Sequence, residues 1–165
     1  MMRIDSRWNN QRLAALGLSL ALLIAVDQIT KYLVRSNLTY GTSWPDNWEL
    51  IRISYIQNTG VAFGFLQGQG ELLSFIVPIV LLGFVYMILT QPPLNSLSDY
   101  SFVLIVAGAV GNLIDRFWHG AVTDFIDPAY YPAFNVADSL ISIGAVVLIG
   151  ASLLNQRKRT PAGKG

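Results

Sequence analysis

Four long apolar stretches, near residues 13–35, 71–90, 99–118 and 134–155, constrain this chain more than any other feature. A helix needs about 20 mostly apolar residues to cross the ~30 Å hydrocarbon core of a bilayer. Backbone amides in that core must find partners inside the protein, so runs of this kind become helices. The chain is 53% hydrophobic and 13% charged, a balance that belongs to membrane proteins and not to soluble domains. The expected architecture is an integral membrane protein, mainly α, with four transmembrane helices. Pro78 falls inside the second stretch. Neighbouring helices can re-satisfy the carbonyl it frees, so a kink is expected there and not a break. A cleaved signal peptide is the alternative for the first stretch, because Arg3, Arg7 and Arg12 precede it and small residues occur near Ala25. The apolar run continues into Ile29, Leu33 and Val34, which favours a retained span.

Charge at the two ends orients the bundle. The N-tail carries Arg3, Arg7 and Arg12, and the C-tail carries Arg157, Lys158, Arg159 and Lys164. Positive tails stay in the cytoplasm, which an even number of spans permits. Asp27, Asp115, Arg116, Asp124 and Asp138 then converge on the outer interface. Lys31 and Arg35 lie at the same outer end, against the charge rule, and so should have local partners.

Two outer segments link the spans. In 36–70 the stretch from Trp48 to Gln57 alternates, with Ile51, Ile53 and Tyr55 on one side and Arg52, Ser54 and Ile56 on the other, which predicts a strand. Trp44, Trp48, Tyr55, Phe63 and Phe65 suit a surface resting among lipid headgroups. A small strand-rich extracytoplasmic cap is expected. In the second outer loop, 119–133, Val122, Phe125 and Ile126 have helical spacing, which predicts a short interfacial helix ended by Pro128 and Pro132.

Composition removes much chemistry. There is no cysteine and the single histidine is His119, so thiol nucleophiles, disulfides, Cys-ligated zinc and multi-histidine metal sites are excluded. A net charge of +1 gives no nucleic-acid footprint. No Gly-x-Ser-x-Gly turn is present, and no serine stands out as a partner for Lys31. Acids at membrane depth are costly, and by default they mark function. Asp124 and Asp138 flank the last loop, and two adjacent carboxyls can share a proton and act as base and acid. Asn135 and Asp138 share a helix face, with capping an equal explanation for Asn135. Asn112 and Arg116 also share a face. Asp27 and Lys31 are spaced for a helical ion pair. Asp115 beside Arg116 suggests a structural pair more than chemistry. Asp46, Asp99 and Asp127 are expected to be solvated loop acids.

Five stretches together resemble the lipoprotein signal peptidase, or signal peptidase II, family. They are Asp27-Gln28-Ile29-Thr30-Lys31, the run from Asn58 to Gly64, the run from Gly111 to Arg116, Val122-Thr123-Asp124-Phe125, and the run from Phe134 to Ser139. The resemblance covers nearly the whole chain, and implies a single membrane-embedded peptidase domain over 1–165. It implies an inner-membrane aspartyl endopeptidase that needs no cofactor or metal and acts as a monomer. Its substrate would be a diacylglyceryl-modified prolipoprotein, cut just before the lipid-bearing cysteine, with membrane lipid as the other partner. The family's catalytic pair falls on Asp124 and Asp138. Its supporting residues fall on Asn58, Asn112, Arg116 and Asn135, with Asp27, Lys31 and Asp115 around them. The stretch between Asp124 and Asp138 is shorter than is usual there, and Thr123 stands where valine is common. The residues alone leave two other classes open: a small proton-coupled transporter or channel subunit, and a non-catalytic assembly subunit.

Overall fold

The structure, a computed structural model, describes the backbone of residues 10–47, 50–60, 68–90 and 96–159, and their side chains except at 87–90 and 155–159. Four long helices carry the fold: α1 (Asn10–Asn37), α2 (Gly70–Thr90), α3 (Ser96–His119) and α4 (Val136–Arg159). Three short strands, β1 (Ser43–Trp44), β2 (Ile51–Asn58) and β3 (Val122–Pro128), form one antiparallel sheet in the order β1-β2-β3. By length and composition α1, α3 and the stretch Val136–Leu154 of α4 can each cross a membrane. The 21 residues of α2 span about 32 Å at ~1.5 Å per residue. The helix continues through Pro78.

The helices are inverted relative to those of a soluble protein. Leu18, Leu22, Val26, Ile29 and Leu33 of α1 are exposed, whereas Asp27 and Lys31 are fully buried. Lipid satisfies the apolar face, so the interior can be given to polar groups that pair with one another. Packing between helices then relies on small residues. A Cβ added to Gly108 would lie 2.3 Å from the Ala137 carbonyl oxygen and 2.7 Å from Ile141. At Gly144 it would meet Ile105 at 2.7 Å and the Ser101 carbonyl oxygen at 2.9 Å. These contacts hold α3 against α4 at two levels. Gly108→Ala is expected to destabilise the detergent-solubilised protein by about 1–3 kcal/mol through overpacking. Gly17→Ala, at a position with nothing within 4 Å, is the control for thermal melting.

At one end of the bundle Arg12 of α1 donates to Asp99 of α3, which is 4% exposed. Asp99 is therefore an interhelical partner and not the solvated loop acid its sequence context suggested; α3 begins earlier than expected, at Ser96. Asp46 is exposed, as anticipated.

The sheet caps the other end. β2 is present, running Ile51–Asn58, and Trp48 lies outside the described residues, as do Phe63 and Phe65. Tyr40 meets Tyr55 edge-on at 5.7 Å, and Trp44 is exposed, consistent with an aromatic cap surface. The expected helix in 119–133 is absent: Val122–Pro128 is strand β3, paired with β2 from Asn58↔Val122 to Ile51↔Pro128. Helical spacing of three apolar residues was outweighed by two backbone partners. β2 offers a free edge on one side, and on the other the Phe134 carbonyl accepts from the Phe125 and Ile126 amides at 3.0 and 2.8 Å. Pro128, lacking an N–H, sits at the end of the strand, where it removes no internal bond.

The β2–β3 ladder is irregular between Ile53 and Ile56. Simple alternation fails there, and the buried member is Ser54 at 2% exposure, while Ile51 and Ile56 are exposed. Bulges of this kind re-aim side chains beside functional sites.

Candidate active site

One face of α1 carries Asp27, Lys31 and Arg35 at successive turns, and all three point at α3. Lys31 Nζ lies 2.9 Å from Asp27 and 3.7 Å from Asp115, with all three side chains buried. Arg35 lies 3.4 Å from Asp115 and donates to Thr123 Oγ1 at 2.9 Å. Thr123 returns its backbone amide to Asp115 Oδ2 at 2.8 Å. Asp27 Oδ1 accepts the Ala137 amide of the first turn of α4 at 2.9 Å, one of the donors a helix start leaves without an internal partner. These groups tie α1, α3, α4 and β3 together.

Asp115 pairs with Arg35 and Lys31, and not with the adjacent Arg116 that its sequence position suggested. Neighbouring residues of a helix point in different directions, whereas partners three or four apart, or on another helix, can meet. Gln28 also joins this lattice, donating to Asp27 and to the Gly111 carbonyl at 3.0 Å each. Gly111 lets this approach occur, because a Cβ there would lie 2.5 Å from Asp27 Oδ2.

The paired acids adjoin this lattice and are joined to it through Asn112. Asn135 caps α4: its Oδ1 accepts the Asp138 amide at 2.9 Å. That bond turns Asn135 Nδ2 toward Asp124 Oδ1, at 2.7 Å. Capping and site contact are thus one conformation of one residue. Asn112 Oδ1 accepts from Lys31 Nζ at 2.9 Å and from Asn135 Nδ2 at 3.2 Å, which leaves Asn112 Nδ2 to donate to Asp138 Oδ1 at 2.8 Å. Because an ammonium can only donate, Lys31 determines which end of the Asn112 amide faces Asp138. Asn58 Nδ2 donates to Asp124 Oδ2 at 2.9 Å, while its Oδ1 accepts the Gly60 amide. The second oxygen of Asp138 accepts the Asn135 amide at 3.2 Å.

Each of the four carboxyl oxygens therefore has a donor, and each donor is oriented by a further contact. Asp124 is 2% exposed. Burial, reinforced by the charge of Asp138, raises its pKa from the ordinary 3.8 to about 7, against the opposing hydrogen bonds from Asn58 and Asn135. Such pairs titrate as a unit and hold one proton over a range of pH.

Both acids line a cavity of about 650 Å³ between the sheet and the helices, with Asn58, Asn112 and Arg116. Arg116 Nη2 donates to the Gly60 carbonyl at 3.0 Å, while its buried Nε has no partner among the described residues. Among the described residues no group of His, Cys, Asp and Glu has the arrangement of a metal site. Thus the structure brings together Asp124, Asp138, Asn58, Asn112 and Arg116 at the cavity, with Asn135 fully buried behind the two acids and bonded to both. Asp27, Lys31 and Asp115 lie behind it. Gln28, Arg52, Thr123 and Asp127 join the site or its support without having been singled out as site residues. The last is ion-paired in β3 and is not a solvated loop acid.

A bundle of apolar helices with a partnered carboxyl pair at one end defines a membrane protein with a buried polar site. The family model for signal peptidase (SPase) II matches residues 19–154. A lipoprotein signal peptidase of Caldanaerobacter subterraneus is 44% identical over 130 residues, covering 78% of this chain and 88% of that protein. One from Nostoc punctiforme is 41% identical over 142 residues, covering 85% and 87%. A solved structure described as a bacterial membrane enzyme superposes with a TM-score of 0.82 at 30% identity, covering 92% of this chain and 95% of the other. The chain belongs to the signal peptidase II family. It is a peptidase-family protein of the bacterial inner membrane, with several apolar membrane-crossing helices.

Proposed function

We propose that this protein is an aspartyl endopeptidase that removes the signal peptide from diacylglyceryl-modified prolipoproteins, cutting just before the lipid-bearing cysteine. The observation that carries this is the meeting of Asp124 and Asp138 across Asn135 in one cavity, with every carboxyl oxygen held by an oriented donor. In the reaction, the ionised member of the pair takes a proton from water as its oxygen attacks the scissile carbonyl. The protonated member gives its proton to the carbonyl oxygen. Collapse of the resulting tetrahedral diol breaks the C–N bond: the leaving nitrogen takes up the proton held by the first acid, and one diol O–H returns its proton to the second, which restores the singly protonated pair. Two carboxyls sharing one proton are suited to this division of roles.

Arg116 and the amides of Asn58 and Asn112, which line the cavity, offer donors to an extended substrate backbone, which needs partners at membrane depth, while Asn135 holds the two acids. The active site faces the outer leaflet and both termini lie in the cytoplasm, on the strength of the basic tails. The protein works as a monomer, one domain over residues 1–165, with the substrate's lipid held in the surrounding bilayer.

Purified protein incubated with a synthetic diacylated precursor should release the signal peptide, and absence of release would defeat the reading. Activity should also depend on pH in one direction. The pair works with one proton on it, and Asp124 loses its proton near pH 7. Turnover should therefore fall as pH rises through about 7, tenfold per unit beyond it. A profile still rising above pH 8 would contradict the shared proton. A transport pathway would need polar groups through the bilayer. Between Asp99 and Asp115 of α3, and after Asp138 of α4 as far as Arg157, no charged residue occurs.

A further inference from the structure

The cavity is chemically divided. Toward the helices it is lined by Val77, Ala109 and Ile141, and toward the sheet by Arg52 and Asp127. Arg52 and Asp127 are directly paired in register across β2 and β3. Arg52 donates to Asp127 Oδ2 at 3.0 Å, and the Ser54 hydroxyl reaches the same oxygen at 2.6 Å. Asp127 is thereby engaged by two donors, while Arg52 donates, among the described residues, to Asp127 alone. The guanidinium is also the more open partner, at 39% side-chain exposure against 15%.

Asp124 and Asp127 are an odd number of residues apart and would face opposite sides of a regular strand. The irregularity in the β2–β3 ladder, with Phe125 and Ile126 both donating to the Phe134 carbonyl, lies between them. Both acids consequently line the one cavity.

We propose that Arg52, held by Asp127, is a specificity-determining residue that reads the third residue on the product side of the cut, counting the lipid-bearing cysteine as the first. This deepens the peptidase reading above and rests on it. Asp127 lies three positions along β3 from Asp124, about 10 Å at ~3.3 Å per residue. An extended substrate covers that distance in about three residues. The direction follows from polarity: the apolar signal segment belongs at the uncharged helix end, and the segment leaving for water belongs at the charged, exposed end. Open N–H donors on a cation favour an acidic side chain there and disfavour Lys or Arg.

The experiment uses the full chain in detergent and synthetic diacylated precursors carrying Asp, Ser or Lys at that third position. A second set varies the residues upstream of the cut. Wild type should cleave the Asp precursor with kcat/KM about two- to fivefold above the Lys precursor, the size of a partly exposed charge contact. Arg52→Gln should bring the ratio close to one, and Arg52→Glu should invert it. If Arg52→Glu does not fold, the Gln variant decides. Cleavage with an unchanged Asp-to-Lys ratio in the variants would overturn the subsite while leaving the peptidase intact. So would an effect confined to upstream substitutions. No cleavage of any precursor by wild type would instead overturn the peptidase reading and the subsite with it.

Discussion

Asp124→Asn and Asp138→Asn should each lower cleavage of a diacylated precursor by at least about 10²–10⁴-fold, the range that a positioned acid or base contributes. Asparagine keeps the shape of aspartate and one accepting oxygen, but can neither take a proton from water nor give one to the scissile carbonyl. Both variants should still insert and fold, because the ion pairs that join α1 to α3 run through Asp27, Lys31, Arg35 and Asp115 and use neither Asp124 nor Asp138. The measurement is single-turnover cleavage beside a thermal melt. Normal turnover by either variant would remove that acid from the mechanism.

Asp124→Asn carries a second signature. In the folded protein Asp124 titrates near 7, against 3.8 ordinarily. Between those values the native state binds more protons than the unfolded chain, so stability contributed by this group declines as pH rises from about 4 to about 7. The Asn variant lacks that titration, and its melting temperature should vary less across the same window. A variant with an unaltered pH dependence would show that Asp124 is not the group responsible.

The second large effect is on stability. Asp115 is fully buried and lies 3.4 Å from Arg35, 3.7 Å from Lys31 and within hydrogen-bond distance of the Thr123 amide. Asp115→Ala leaves two cations short of a partner and a buried N–H without an acceptor. Breaking a buried pair in this way costs about 3–5 kcal/mol. Yield in membranes and the thermal midpoint in detergent should both fall. Asp115→Asn keeps an acceptor for Thr123 and should lose less. A stable but wholly inactive Asp115→Asn protein would place Asp115 in the chemistry instead of the scaffold.

The four helices were legible because a bilayer imposes one solution on long apolar runs, and little in the rest of the molecule can change it. The strand at Ile51–Asn58 was legible from alternation, which does not by itself say which side chains are buried. β3 was not legible. Val122, Phe125 and Ile126 have a spacing that suits a helix, and the deciding factors, the free edge of β2 and the Phe134 carbonyl, are distant in sequence. Asp99 and Asp127 were misjudged for the same reason: their partners, Arg12 and Arg52, lie 87 and 75 residues away.

By itself the sequence determined a membrane bundle without thiol, disulfide or multi-histidine chemistry, and acids that had to be partnered. It also determined the helical pair Asp27–Lys31, since residues four apart on a helix meet whatever surrounds them. Tertiary structure alone decided that Asp115 pairs with Arg35 and not with Arg116. It alone turned the amides of Asn112 and Asn135 so that their donors face Asp138 and Asp124. Spacing along a chain specifies only neighbours within a turn or a strand. The direction of a buried amide is decided by groups arriving from other helices, because each donor there must find an acceptor once water is excluded.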